Sequence, residues 1–237
     1  MNRTVWALAA PIMLSNVSVP LLGAVDTAVV GHLPGAHHIG AVAIGALIFN
    51  FIYWGFGFLR MGTTGFTAQA LGAGDGDEVR SMLARAMIAA VIIGLGVVAL
   101  QWPMAAFAFN LIEASADVEN LAGAYFEIRI WGAPAAFANF AMVGWFIGVR
   151  NTRAAMITQL VMNGLNVILD LWLVNGLGLG VPGVAWASLI SEIVAIGAGL
   201  ILARNNLRLI GGHWIRERIF DGERLLRLLA VNRDIFI

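Results

Sequence analysis

Six stretches, near residues 5–30, 42–70, 82–109, 121–147, 155–174 and 182–203, are apolar over lengths that cross a membrane. At about 1.5 Å rise per residue, some 20 apolar residues traverse a hydrocarbon core of roughly 30 Å as a helix. The second stretch is longer than this and extends beyond the membrane or tilts. The breaks between stretches carry turn chemistry, as in Gly31-His32-Leu33-Pro34-Gly35, the run from Gly72 to Asp77, and Asn175-Gly176 through Pro182-Gly183. The fold class expected is all-α, an integral membrane protein of six transmembrane helices. Only 12% of the 237 residues are charged and 60% are hydrophobic, too little polar surface to coat a soluble globule. This argues against a soluble enzyme or a nucleic-acid binder. The absence of cysteine excludes disulfides and thiolate-zinc sites. No signal-peptide cleavage pattern opens the chain, so the first span is expected to be retained.

Every one of the 14 basic residues is arginine. Arg3 precedes span one, Arg80 and Arg85 fall between and at the edges of spans two and three, Arg150 and Arg153 between spans four and five, and Arg204 and Arg208 after span six. The other three connections, near 31–40, 110–120 and 175–182, lack arginine. Basic loops face the cytoplasm, which places both ends of the six-span unit inside. From Arg204 to Arg233 the chain is rich in charge, and 214–220 and 225–229 read as amphipathic helix on the cytoplasmic surface.

Charged groups inside an apolar slab need a reason, since each costs at least roughly 2.5–3.5 kcal/mol on insertion scales. Asp26 and Asp170 each lie about five residues from the outer ends of spans one and five, and Ser188 about five residues into span six, so three helices place oxygen at one depth. Gln159, Asn163, Asn166 and Asp170 follow a 4, 3, 4 spacing and share one helical face. Asn166 with Asp170 reads as a site, because carboxylates make poor structural glue. Asn163 and Gln159 read equally well as an interhelical hydrogen-bond seam. Glu192, one turn deeper than Ser188, is either a neutral buried acid or part of a proton relay. Glu127 and Arg129 read as a packing or interfacial charge pair, and Arg60 as a side chain reaching back to the membrane surface. Pro20, six residues before Asp26, softens or kinks span one. No helical His pair, Gly-x-Ser-x-Gly or P-loop occurs, so no catalysis and no cofactor are expected.

Several of these segments resemble a known family. They are Ala10-Pro11-Ile12-Met13-Leu14-Ser15-Asn16 and Val25-Asp26-Thr27-Ala28-Val29-Val30-Gly31 in span one, and Arg60-Met61-Gly62-Thr63-Thr64-Gly65 and Ala68-Gln69-Ala70-Leu71-Gly72-Ala73 in span two. Gly183-Val184-Ala185-Trp186-Ala187-Ser188 opens span six. In this order they look like the multidrug and toxic compound extrusion (MATE) transporters, in the DinF-like branch. The resemblance implies a twelve-helix antiporter of two six-helix lobes, with residues 1–204 as the N-terminal lobe, 205–231 as an amphipathic cytoplasmic interlobe linker and 232–237 as the start of a seventh span. It implies export of organic, often cationic or amphipathic, compounds across the bacterial inner membrane in exchange for H⁺ or Na⁺. The family's cation site falls on Asp26, Asn166, Asp170 and Ser188, with Ser188 where Thr is usual. The implied partners are the bilayer, small organic substrates and a C-terminal lobe, with no nucleic acid. Two other readings are a lipid-precursor flippase of the same superfamily and a non-transporting six-helix scaffold. The arginine pattern carries a direct expectation: cysteines introduced at His37 and at Asn151 should react with impermeant reagents from opposite sides of the membrane, and reaction from one side would overturn the topology.

Overall fold

The structure, a computed structural model, describes residue 13 and residues 23–235, with backbone alone from 229. The expected first span therefore lies mostly outside the described residues, as do Pro20 and residues 236–237. The described chain is helical. A helix α1 covers 23–31. It is followed by α2 (His37–Trp54), α3 (Phe58–Gly72), α4 (Gly76–Ala99), α5 (Gln101–Leu111) and α6 (Ala116–Arg129). Next come α7 (Ala133–Gly148), α8 (Thr152–Asp170), α9 (Val181–Ile210), α10 (Arg216–Ile219) and α11 (Gly222–Ile235). Five helical segments among the described residues are long and apolar enough to cross a membrane: His37–Gly72, Gly76–Ala99, Ala116–Gly148, Thr152–Gly176 and Val181–Ile210. The stretch at 82–109 meets two helices, because the α4 ladder ends at Leu100 and a new helix containing Pro103 begins. The helix of the sixth stretch continues past residue 203 to Ile210 before Gly211, at φ 78°, ends it.

Helix α7 is the centre of the bundle and packs on α3, α4 and α9. It is built of small residues for that purpose. A Cβ on Gly94 of α4 would overlap the Pro134 backbone, and one on Gly144 would overlap the Arg60 carbonyl of α3. The helices touch backbone to backbone, as membrane helices do where hydrophobicity alone cannot hold them together. Around this core Phe51, Trp102, Phe107, Ile168 and Ile201 stay exposed, as lipid-facing side chains would.

Side-chain caps fix where α4 and α8 begin. Asp75 accepts from the Glu78 backbone N–H at 3.0 Å to open α4, and Asn151 accepts from the Ala154 N–H at 3.0 Å to open α8. The α4 cap has a second role. Asp75, Asp77 and Glu78 grip the segment that follows α9. Arg218 reaches Asp75 at 2.8 Å, the His213 N–H donates to Asp77 at 2.6 Å, and Arg224 pairs with Glu78. From α4, Arg80 donates to the carbonyls of Leu207 and Gly211, and buried Arg85 to that of Arg218. Leu225 and Leu228 turn inward while Glu223 and Arg227 stay outside, so α11 docks on α3 by an apolar face as well. The Glu78 N–H, followed by Arg218, holds the Asp75 carboxyl below the usual carboxylate range. A lowered folded-state value means that its contribution is complete at neutral pH and is lost only as pH falls through that low value. Asp75→Asn combined with Glu78→Gln should raise amide exchange across 213–228 at neutral pH and leave the interior of α7 protected. Unchanged exchange in α10 and α11 would show that the apolar docking suffices.

Candidate functional site

The polar stripe on α8 faces the bundle. Asn163, Asn166 and Asp170 are buried, whereas Leu160, Ile168 and Leu171 are exposed. Directly after Asp170 the backbone widens into a π-helical turn, Leu171–Gly176, in which the Leu177 N–H bonds to the Trp172 carbonyl. Such widened turns re-aim the side chains beside them and often occur at functional sites. Asp170 is fully buried. Its carboxyl lies within hydrogen-bond range of that of Asp26 on α1. The Asn166 amide is satisfied when its N–H donates to Asp170 Oδ2 at 3.2 Å and its oxygen accepts from the Ser188 N–H at 3.0 Å and hydroxyl at 3.3 Å. Asp26, Asn166, Asp170 and Ser188 thus meet from three helices. One oxygen on Asp26 and one on Asp170 are buried with no hydrogen-bond partner among the described residues. Carboxylates carry only acceptors when ionised, so two in contact call for a proton or a cation between them.

Asp26 and Ser188 line a cavity of about 560 Å³, together with Tyr53, Asn139, Gln159 and Glu192. Gln159 donates to Asn163 at 3.2 Å, which extends the stripe along the wall. Asn139 of α7 donates to the Glu192 carbonyl at 2.9 Å. Arg60 also lines the cavity, with an exposed side chain.

One expectation on a neighbouring pair is corrected here. Arg129 does not pair with Glu127, which is exposed. It binds Glu192 of α9 through two hydrogen bonds of 2.8 and 2.6 Å. Residues two apart on a helix point to different faces, so Glu127 could not share the inward face of Arg129. Glu192 is accordingly held by an arginine. Sequence reasoning also passed over Tyr53, Tyr125 and Asn139, three polar side chains on the site's walls. The available signal was two opposite charges, Arg129 and Glu192, each well inside an apolar stretch.

Comparisons with known proteins agree with this architecture. The MatE family model matches residues 11–172. DNA damage-inducible protein F of Escherichia coli (strain K12) is 40% identical over all of this chain and 51% of its own length. A probable multidrug resistance protein NorM of Thermotoga maritima is 29% identical over 82% of this chain and 42% of its own. Among solved structures, a MATE protein crystallised in a bent conformation superposes with a TM-score of 0.83 at 24% identity, covering 98% of this chain and 52% of that one. A MOP superfamily transporter from Pyrococcus furiosus gives 0.83 at 24% identity, over 97% and 51%. The chain spans about half the length of the curated relatives it matches. It belongs to the MatE family, and its extent is that of one lobe of a MATE transporter.

Proposed function

We propose that the chain forms the cation-binding lobe of a secondary active antiporter that exports organic compounds, cationic or amphipathic ones included, by alternating access. The observation that carries this reading is the cluster that joins Asp26, on the wall of the cavity, to Asp170 and, through Asn166, to Ser188. Export against a gradient needs a site whose ion occupancy changes the relative stability of two states. Two carboxylates on separate helices meet that need. With H⁺ or Na⁺ between them, α1 and α8 are drawn together; without it, like charges push them apart. The cavity in front is large enough for an organic ligand, and Asp26 on its wall would take either the ion or a cationic substrate. Competition for one carboxylate then couples the two fluxes.

A second six-helix lobe would supply the facing half of the translocation path. This fits a chain that spans about half of its relatives, and residues 205–231 would serve as the linker between lobes, with 232–237 entering the next span. Pro20, six residues before Asp26 in the sequence, would be the bending point of the first helix. The setting proposed is the bacterial cytoplasmic membrane, with both ends of this unit cytoplasmic. Gln159 on the cavity wall, backed by Asn163, would take part in substrate contact rather than in ion coupling, and Glu192, held by Arg129, would keep that wall charged.

Asp26→Asn keeps size and hydrogen bonding but cannot titrate or carry charge. In sealed vesicles containing the protein and its partner lobe, gradient-driven export of an organic cation should fall by at least about tenfold in Asp26→Asn and in Asp170→Asn. Membrane insertion should be unchanged, and Gln159→Ala should keep partial export. Wild-type export in both aspartate variants would make the carboxylates structural and refute the reading.

A further inference from the structure

Glu127 is left over by the central site. Tyr125 and Arg129 of α6 line the central cavity, whereas Gly123 and Glu127 line a separate groove of about 900 Å³ between α5, α6 and α9. Among the described residues none lines both spaces. Glu127 is exposed in the groove and makes no ion pair with any described residue. No arginine or histidine is among the described residues that line it. Glu127 also lies roughly 16 Å along α6 from Ala116, well inside the apolar stretch. An unpaired acidic side chain at such depth is costly unless something neutralises it.

The rest of the groove is aromatic. Trp102 of α5, Trp131 one turn beyond Glu127, and Trp186 of α9 all line it, and their side chains are exposed. Tryptophan usually sits at the membrane surface, where its N–H meets water or headgroups. Trp102 instead lies roughly 14 Å from Leu111, the far end of α5, at about the depth of Glu127. The gap exists because α5 restarts after the break at Leu100 and buries none of its residues. Its floor is open at Gly123, where a Cβ would meet nothing within 4 Å. An acidic group flanked by indole faces is the chemistry that recognises a bulky, weakly hydrated organic cation. The volume is that of a pocket for such a molecule.

We propose that this groove is a second binding site, for a lipophilic organic cation that enters from the bilayer. Glu127 supplies the counter-charge, and Trp102 and Trp131 supply the π faces. The ammonium of a lipid headgroup carries similar charge, but it is held at the membrane surface, above the level of Glu127 and Trp102. The proposal goes beyond the antiporter reading and does not depend on it.

The test is equilibrium binding of radioactive tetraphenylphosphonium to the purified protein in uncharged maltoside micelles. All variants carry Asp26→Asn as well, so that the central carboxylate does not contribute. Saturable binding should remain in this background and weaken by at least about tenfold on adding Glu127→Gln. Trp102→Leu with Trp131→Leu should weaken it severalfold. These three side chains are exposed, so the substitutions leave the packed interior intact, and matching gel-filtration profiles check this. Neutral triphenylphosphine oxide should compete at least about tenfold less well than unlabelled tetraphenylphosphonium, and added phosphatidylethanolamine should not displace the label. No saturable binding in the Asp26→Asn background, unchanged binding with Glu127→Gln, or equal competition by the neutral compound would overturn the proposal. Displacement by phosphatidylethanolamine would assign the groove to a lipid headgroup and overturn it too. Export is not measured, so a failed antiport assay leaves this result standing.

Discussion

A carboxylate inside an apolar slab must be neutralised, paired or hydrogen-bonded, because water is not there to do it. That constraint organises the polar interior of this bundle. Asp170 faces inward because the opposite face of α8 carries Ile157, Leu160 and Ile168; there it accepts from Asn166, and the nearby carboxyl of Asp26 calls for a proton or a cation between the two. Asn166 is in turn fixed by Ser188, so α1, α8 and α9 are tied through one cluster. The same rule explains Arg129 and Glu192, which neutralise each other across α6 and α9. Breaking either partner would leave a buried charge, a change that costs about 3–5 kcal/mol in measured cases.

The scaffold holds these contacts through shape rather than hydrophobicity. In a bilayer, lipid is as apolar as any side chain, so helices gain by approaching closely. Gly94, Gly144 and Gly148 let α3 and α4 press against α7, and this makes a firm base on which α8 and α9 carry the polar groups. At the basic end, the acidic first turn of α4 anchors α10 and α11, so the segment after α9 is fixed to the lobe and would follow its motion.

Much of the site was legible because helical period and membrane depth are simple geometry. The 4, 3, 4 spacing from Gln159 to Asp170 marked the inward face of α8, and counting residues from the span ends brought Asp26 and Ser188 to the same layer. Three kinds of information were absent from the sequence. The orientation of the Asn166 amide depends on what Ser188 and Asp170 present to it, which only the packed helices decide. The partner of Arg129 lies 63 residues away, and the nearer Glu127 drew attention although it sits on the wrong face. The break between α4 and α5 was also hidden, since both helices are apolar and the stretch reads as continuous.

The central claim is that one carboxylate cluster serves ion and substrate in exchange. The most direct measurement is release of the bound ion on adding an organic cation to the purified protein, with protons followed by a pH-indicating dye in weakly buffered solution and Na⁺ by a radioactive tracer. The account predicts release of one of the two by the wild type and of neither by Asp26→Asn. Equally tight substrate binding by the wild type with no release of either ion would contradict it.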